Sequence, residues 1–425
     1  MTPTLARGLS PVRAQLDNGA VVIAQQTSTT PAVTIHAAFR AGSVLDPRGL
    51  EGRAYLTALV LDRGTARRSA GTLAEELDDR GVSLKVSAGR HVLTLSCTCL
   101  SEDFADILGI VADIARRPVF PEEELRKRRD EAITTLRQRQ DNPAARAVDA
   151  VMELLYTDGH PYGRPSKGTI AGVERVSRAD LLEFHAAHVL PSTLSLVVVG
   201  DVEPARAIDR AARELEGWRG VPLAEARLVP PPPRTSRAQV VVEMPGKPQA
   251  DVVYGFTAVR RTDPRYYACW MMNNVLGQFG LGGRLAENIR ERQGMAYYAF
   301  SSLDALPGEA PLLIRAGVDP ANVSRALAAI DAEVAAMASE GPTVRELEEA
   351  RAYLIGSIPR MLETNGSIAA FLQASEEFGL GLDFDGRLPG ILNAVTLEEV
   401  RTAAATTLDP SRAAIAVAGP QEDRG

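Results

Sequence analysis

The two halves of the chain end alike: VSRADLLEFHAAHVLPSTLSLVVVGDV at residues 176–202 aligns without gaps with VTLEEVRTAAATTLDPSRAAIAVAGPQ at residues 395–421. Pro191 falls on Pro410, and Gly200 falls on Gly419. Each copy has the pattern of a helix, a proline turn and a hydrophobic strand. Because these features recur at one constant offset, we interpret the chain as two homologous domains.

The start of the repeated helix carries the same capping pattern in both copies. Ser177 is followed three residues later by Asp180, and Thr396 is followed three residues later by Glu399. A hydroxyl at the N-cap and a carboxylate three residues on satisfy two backbone N–H groups reciprocally. Both patterns therefore predict a helix that begins at the same place in each domain.

The boundary between the domains is indicated by four consecutive prolines, Pro230 to Pro233. Such a run favours an extended, semi-rigid polyproline spacer. We therefore predict an N-terminal domain over residues 1–219, a linker over 220–238 and a C-terminal domain over 239–425. Strand and helix patterns are mixed within each half, which predicts an α+β fold with a mixed or antiparallel sheet covered by helices in each domain.

Composition excludes several classes of protein. The 425 residues are 45% hydrophobic and 24% charged, with a net charge of −7, which is typical of soluble globular proteins and favours neither nucleic acid nor an anionic membrane as a partner. Three cysteines do not make a disulfide framework. No stretch is long and apolar enough to span a membrane, and the N-terminus lacks the apolar region of a secretory signal. We expect a cytoplasmic protein.

The stretch GQFGLGGRLAENIRERQGMAYYAFS, residues 277–301, contains the strongest candidate site residues. Residues 284–290 have a helical pattern, Gly294 is placed to end the helix, and residues 295–300 have the pattern of a strand. An arginine at the helix end and a tyrosine in the strand, Arg290 and Tyr297, could together hold a peptide carbonyl and stabilise an oxyanion. Without further context, a simpler interpretation is that Arg290 completes the helix end and Tyr297 is an ordinary strand aromatic.

Several features together resemble the pitrilysin/insulinase-type metallopeptidases. These are the two repeated halves, the loop HPYGRPSKGT at 160–169, the strand ending VVVGD at 197–201 and the run RERQGMAY at 290–297. The resemblance covers residues 16–419. The chain resembles in particular the bacterial members in which two separate chains of this size form one peptidase. The mitochondrial processing peptidase is built in a similar way.

The family's zinc motif is degenerate in this chain. Active members carry H-x-x-E-H on the first helix of the first domain, where two histidines bind zinc and the glutamate activates water. The family's exit from this helix is present as RGT at 63–65, but the motif positions hold Tyr55, Ala58 and Leu59. The family's third ligand, a glutamate, falls near residues 134–135, which are both threonine. The resemblance implies no metal site and no cofactor in this chain.

The second domain keeps the family's other contribution to the site. In the family this domain supplies an arginine and, seven residues later, a tyrosine that reach the zinc centre, and Arg290 and Tyr297 match that spacing. Tyr298 is an immediate neighbour, but the spacing from Arg290 favours Tyr297. The preceding glycine-rich turn would let backbone and substrate approach closely, with Gly280, Gly282 and Gly283 as substrate-binding candidates.

The resemblance therefore implies the non-zinc-binding subunit of a heterodimeric zinc endopeptidase. The chain would be inactive alone, and a homologous zinc-bearing subunit of similar size would supply the zinc and the water-activating glutamate. The substrate would be an extended peptide that adds as a strand to a sheet edge. Arg290 and Tyr297 would bind a substrate carbonyl and the oxyanion.

Two alternatives remain. The chain could be a catalytically silent structural or assembly subunit, similar to the core proteins of a respiratory complex. It could also be a self-sufficient enzyme with an unrecognised metal site, for which His185 and His188, three residues apart on a helix, have a possible two-ligand spacing. No acidic or cysteine ligand accompanies that pair in the sequence, so we interpret both histidines as structural.

Overall fold

The protein is described by a computed structural model that covers residues 8–220, 228–278 and 282–420. The described parts of residues 1–136, 165–226 and 358–387 form one compact unit, called the first unit below. The described parts of residues 137–164, 227–357 and 388–425 form the second unit. Each unit contains one β-sheet and the helices that cover it, which confirms the α+β class.

The sheet of the first unit has six strands in the order β1-β2-β6-β3-β5-β4. Neighbouring strands are antiparallel, except that β2 and β6 are parallel. The strand bounds are β1 Val12–Gln15, β2 Val21–Gln26, β3 Ala32–Phe39, β4 Lys85–Ala88, β5 Leu93–Leu100 and β6 Leu194–Gly200. The short strand β1 lies at one edge of the sheet.

The sheet of the second unit has five strands in the order β7-β11-β8-β10-β9. Here β7 and β11 are parallel and the remaining neighbours are antiparallel. The strand bounds are β7 Ala238–Glu243, β8 Ala250–Thr257, β9 Ala296–Leu303, β10 Pro311–Val318 and β11 Ala414–Gly419. Strands β2 to β6 therefore correspond one to one with β7 to β11 in order and direction, as the repeat in the sequence predicts.

Fourteen α-helices are described within residues 8–220, 228–278 and 282–420. Both predicted capping boxes are present: the side chains of Ser177 and Thr396 accept hydrogen bonds from the N–H groups three residues on, and the carboxylates of Asp180 and Glu399 accept from the cap N–H groups. The helix bounds are α1 Arg53–Leu61, α2 Ala70–Asp78, α3 Phe104–Arg116, α4 Glu122–Gln140, α5 Pro143–Leu155, α6 Ile170–Arg175, α7 Arg178–His188, α8 Pro204–Leu215, α9 Tyr266–Asn273, α10 Val323–Glu340, α11 Val344–Met361, α12 Asn365–Glu377, α13 Phe384–Ala394 and α14 Leu397–Thr407.

Each unit contains one helix that comes from the other half of the sequence. Helix α5, from the first half of the sequence, packs on β8 and β11 of the second unit. Helix α12, from the second half, packs on β3 and β6 of the first unit. The predicted domains, 1–219 and 239–425, follow the repeat in the sequence and are contiguous. The compact units of the structure are each made of several separate segments of the chain. Within the expected linker, residues 220–238, the described residues 228–237 contain no helix or strand, and residue 238 already begins β7.

The exchanged helix α12 completes the core on one face of the first sheet. Its Ile368, Ala369 and Leu372 are buried against a cluster formed by Ile23, Val197 and Val199. Polar contacts add to this packing, because the Asn365 amide donates to the Ala32 carbonyl at 3.1 Å. The apolar residues on that face of β2 and β6 are therefore buried by a helix from the other half of the sequence.

Shortening Leu372 to alanine should destabilise the first unit. Leu372 is fully buried, and truncating such a leucine typically costs about 2–4 kcal/mol through lost burial and a cavity. The matched control is Leu182→Ala on α7, where the side chain is 37% exposed and the expected cost is below about 1 kcal/mol. Thermal and urea unfolding followed by circular dichroism measure both. Equal losses in the two variants would contradict the assignment of α12 to this core.

Candidate functional site

The degenerate zinc motif lies on α1, and its side chains are used for packing. Ala58 is buried, and Leu59 packs against the core of the first unit. The half-buried Tyr55 has a hydrogen bond with the side chain of Thr135 on α4. Burial is the main cause that raises the pKa of Tyr55, which therefore stays a neutral phenol at physiological pH.

The predicted third-ligand position on α4 offers no carboxylate either. The hydroxyls of Thr134 and Thr135 donate to the backbone carbonyls of Asp130 and Glu131, at 2.9 and 3.0 Å. The Glu131 carboxylate accepts from Arg128 at 2.6 Å. A neutral phenol, a methyl group, an aliphatic side chain and two hydroxyls do not form the nitrogen, sulfur and carboxylate donor set that zinc requires. These residues therefore do not fit the catalytic zinc of the family.

The helical histidine pair is engaged in packing. The Nε2 atom of His185 lies 2.7 Å from the carbonyl oxygen of Ala115, and its ring meets Phe120 edge-on. The His188 ring packs against Phe184. Burial is the largest cause that lowers the pKa of both histidines. Across residues 8–220, 228–278 and 282–420, no group of three or more His, Cys, Asp or Glu side chains is arranged to hold a metal ion.

The glycine-rich turn brings two pieces of backbone into close contact. A side chain on Gly283 would come within 2.8 Å of the Gly277 Cα atom, and one on Gly277 within 2.6 Å of the Ser301 nitrogen on β9. Both residues must therefore be glycine for reasons of packing. Gly282 is exposed and lines a cavity of about 300 Å³ with Arg284 and Glu287. Gly280 lies outside the described residues.

An ion pair anchors the chain after this turn. The Arg284 guanidinium donates to both carboxylate oxygens of Glu346 on α11, at 2.6 and 2.7 Å. Burial alone would raise the pKa of Glu346, but the hydrogen bonds from Arg284 and Thr343 lower it from the ordinary 4.5 to about 2. Glu346 is therefore ionised in the folded protein at all but strongly acidic pH.

Arg290 lies at the surface at the end of a helical segment. The predicted helix is present as a π-helical stretch over Ala286–Arg292, with Arg290 in its last turn. The chain turns at Gly294, where φ is 63° and a left-handed conformation ends the helix as expected. The Arg290 side chain is 44% exposed, and its Nε atom is 3.5 Å from the exposed Glu291 carboxylate. Such a surface pair contributes little and leaves the guanidinium available to a ligand.

Tyr297 lies on the edge strand β9, which packs against the segment that carries Arg290. Along β9, Tyr298 pairs with Gly317 and Ala296 pairs with Val318, so Tyr297 has no partner on β10 and forms a β-bulge. Strand alternation from the buried Ala299 would also bury Tyr297, but the bulge turns it outward and leaves it 81% exposed. Bulges commonly redirect a side chain next to a functional site.

The neighbouring Tyr298 has a different environment. Its hydroxyl donates to the carboxylate of Asp251 on β8, to which the Gln249 amide also donates at 3.3 Å. Asp251 is only 3% exposed, and burial is the main cause that raises its pKa. Burial and the hydrogen bond to Asp251 also raise the pKa of Tyr298. Tyr298 is thus a structural residue, whereas the described residues give the Tyr297 hydroxyl no partner.

Sequence reasoning missed Asp251 and Gly317, although both interrupt the pattern of their strands. Asp251 is a lone charge in the otherwise apolar strand ADVVYGFT, and Gly317 is a glycine inside PLLIRAGV. A glycine within a strand often marks a bulge or a close approach. Those two departures from the strand pattern were the observations that could have located the bulge.

Comparison with known proteins shows the family to which the chain belongs. The family model described as insulinase, peptidase family M16, matches residues 21–169, and the model described as peptidase M16 inactive domain matches residues 175–354. The chain belongs to peptidase family M16. Within the M16 family, the degenerate motif on α1 falls in the first matched segment, and Arg290 and Tyr297 fall in the second.

The relatives and solved structures match from about two thirds of the chain to the whole of it. An uncharacterized zinc protease of Streptomyces coelicolor is 26% identical over 100% of this chain and 93% of its own length. Subunit 1 of the bovine mitochondrial cytochrome b-c1 complex is 26% identical over 65% of this chain and 58% of its own length. The crystal structure of a peptidase M16 inactive domain from Pseudomonas fluorescens has a TM-score of 0.90 and 25% identity, covering 98% of this chain and 99% of that one.

No helix within residues 8–220, 228–278 and 282–420 combines the length and the apolar character that crossing a membrane requires.

The purified chain should bind no stoichiometric zinc and should cleave no peptide by itself, because Tyr55, Ala58 and Leu59 offer no zinc ligand. Elemental analysis after dialysis, together with an assay on unstructured peptides, tests this expectation. About one tightly held zinc ion per chain, with peptidase activity that a chelator removes, would contradict it.

Replacing Glu346 with glutamine should lower the free energy of unfolding by about 1 kcal/mol near pH 7, since the partly buried pair with Arg284 is lost. The folded pKa of about 2 lies below the ordinary 4.5, so the pair stabilises the fold above pH 4.5 and its contribution disappears as the pH falls towards 2. The difference between variant and wild type should shrink over that range.

The matched control for this prediction is Glu349→Gln. Glu349 pairs with Arg345 one turn away on the same helix, and their side chains are 52% and 86% exposed. Thermal unfolding at several pH values should show almost no effect of this change. A loss in Glu346→Gln that stays constant from pH 7 to pH 2 would mean that the ion pair is not its cause.

Proposed function

We propose that this chain is the non-zinc-binding subunit of a two-chain M16 zinc endopeptidase, and that it contributes Arg290 and Tyr297 to a site completed by a homologous zinc-bearing subunit. The proposal depends above all on one contrast within the chain. The motif positions on α1 are filled by packing residues, whereas the bulge on β9 presents Tyr297 to solvent with 81% exposure. At this exposure the Tyr297 side chain is accessible to a ligand.

The chemistry of the two side chains suits peptide hydrolysis. Attack of water on a peptide carbonyl places negative charge on the carbonyl oxygen, and a phenol O–H that donates to this oxyanion stabilises the transition state. Tyr297 has a free hydroxyl for this role. The exposed guanidinium of Arg290 would donate to a second carbonyl of the bound peptide and hold it in place. The partner chain supplies the zinc ion and the glutamate that activate the water.

The edge strand β9 provides a place for an extended peptide substrate. One side of β9 pairs with β10, and its other side has no strand partner in the described sheet. An edge strand offers backbone N–H and C=O groups to which an extended chain can add. Backbone recognition of this kind gives affinity with little sequence specificity. Substrates are therefore expected to be unstructured or locally unfolded peptides.

A second candidate function is a catalytically silent assembly subunit. The observation in its favour is the similarity to subunit 1 of the bovine cytochrome b-c1 complex, which is named as a component of a respiratory complex. An assembly subunit does not need a tyrosine at an unpaired bulge position. The two functions therefore make opposite predictions for the removal of the Tyr297 hydroxyl.

In the reconstituted two-chain peptidase, Tyr297→Phe should lower kcat on the order of 100- to 1,000-fold with little change in KM, because one oxyanion donor is lost. Arg290→Ala should raise KM as well, since a contact to the bound substrate disappears. Steady-state kinetics on an unstructured peptide measure both effects, and sedimentation confirms that the complex remains assembled.

The comparison variant is Tyr353→Phe on α11, a tyrosine of the same unit that is 37% exposed and lies outside the proposed site. Tyr298→Phe is unsuitable as a silent control, because its hydroxyl is bonded to the buried Asp251. An unchanged kcat in Tyr297→Phe with an intact complex would favour the assembly subunit over the peptidase subunit.

A further inference from the structure

A row of three residues crosses the second sheet beneath the bulge. Asp251 on β8 pairs with Gly317 on β10, and Gly317 pairs in turn with Tyr298 on β9. Residues that are direct partners across neighbouring strands have side chains on the same face of the sheet. The Tyr298 phenol therefore extends over the middle strand to reach Asp251.

This reach depends on the absence of a side chain at Gly317. A Cβ atom at this position would lie 2.6 Å from Cε1 of Tyr298 and 2.4 Å from Nε2 of Gln249. Real Cβ contacts of that length do not occur, so any larger residue must displace both side chains. Gly317 thus leaves the space that the side chains of Tyr298 and Gln249 occupy.

The same row sets the point at which the register changes. Pairing between β9 and β10 is regular from Leu303 to Tyr298 and shifts immediately beyond Gly317, so that Tyr297 is skipped. Regular pairing through residue 297 would place Tyr297 opposite Val318, on the buried face that Ala299 occupies, because strand side chains alternate. The hydrogen bond to Asp251 holds Tyr298 opposite Gly317 as the last regularly paired residue, so the strand leaves the regular register at the adjacent Tyr297.

We propose that Asp251, Tyr298 and Gly317 form a positioning site that fixes the β-bulge and thereby holds the Tyr297 hydroxyl towards the substrate. The proposal rests on the function assigned above to Tyr297 and adds residues that act through it. Asp251 is almost fully buried and does not itself reach a ligand. Its effect on the proposed reaction is transmitted through the conformation of the strand.

The first experiment needs no partner chain and no activity. Tetranitromethane nitrates exposed tyrosines, and peptide mass spectrometry distinguishes the modified positions. In the wild-type chain, Tyr297 should react and Tyr298 should be protected. In Asp251→Ala and Gly317→Ala, the nitration rate of Tyr298 should rise about tenfold and that of Tyr297 should fall. Asp251→Asn keeps an acceptor for the phenol and should retain the wild-type pattern.

The control for a general loss of stability is Ile330→Val, which removes a methylene from a fully buried residue of α10 in the same unit. Its nitration pattern should remain that of the wild type. If Asp251→Ala and Gly317→Ala do not fold, Tyr298→Phe removes the same hydrogen bond by the loss of one atom, and nitration of Tyr297 should then fall. A wild-type pattern in every folded variant would overturn the proposal.

The second experiment separates a positioning role from a structural one. In the reconstituted peptidase, Asp251→Ala should lower kcat by about 10- to 100-fold with little change in KM, because a small displacement of a catalytic group strongly lowers the reaction rate. Combined with Tyr297→Phe, it should cause no further loss, because both changes remove the same contribution. Multiplicative losses in the double variant would overturn the positioning role.

The two experiments also distinguish failure of this proposal from failure of the assigned function. If Tyr297→Phe leaves kcat unchanged but nitration shifts in Asp251→Ala, the strand conformation is set as proposed and Tyr297 has no role in catalysis. If Tyr297→Phe lowers kcat and the nitration pattern of Asp251→Ala is that of the wild type, the assigned function stands and the positioning site is refuted.

Discussion

The hydrogen bond from Tyr298 to Asp251, made across Gly317, is the constraint on which the candidate site depends. The acceptor of this bond is the carboxyl group of Asp251, which is buried in the second sheet. Burial of such a group is unfavourable unless it is hydrogen-bonded. With Tyr298 held on that face, the strand bulges at the preceding residue, Tyr297, which is exposed. The local cost of one buried acid and one unpaired strand residue is understandable if the exposed phenol has a function.

The two units share one strand order but differ in the chemistry that they carry. In the first unit, α1 keeps the helix of the family motif while Tyr55, Ala58 and Leu59 pack where metal ligands would stand. In the second unit, the turn after Gly283 is anchored by Arg284 and Glu346, and the returning strand presents the tyrosine. Replacing ligands by packing residues leaves the fold intact, since the core requires volume and apolar character more than particular side chains.

Local patterns in the sequence predicted much of this structure. Capping residues, strand alternation and the repeat of residues 176–202 predicted the two homologous sheets, and the residue types on α1 are the basis for the prediction that this chain holds no zinc. The exchange of α5 and α12 was not predictable from local patterns, because it depends on which distant sheet each apolar face covers. The bulge was also missed: it arises from a contact between Tyr298 and Asp251, 47 positions apart, that no local periodicity contains.

The contacts of residue 297 in the assembled enzyme can be measured directly. A photoreactive benzoylphenylalanine at position 297 can be irradiated in the two-chain complex with a labelled, uncleavable extended peptide. The same residue at position 353, on α11 of the second unit, serves as the control. We expect the peptide to be cross-linked from position 297 and not from position 353, and an excess of unlabelled substrate to prevent the cross-link. Equal or absent labelling from position 297 in an intact complex would contradict a role for this subunit in holding the substrate.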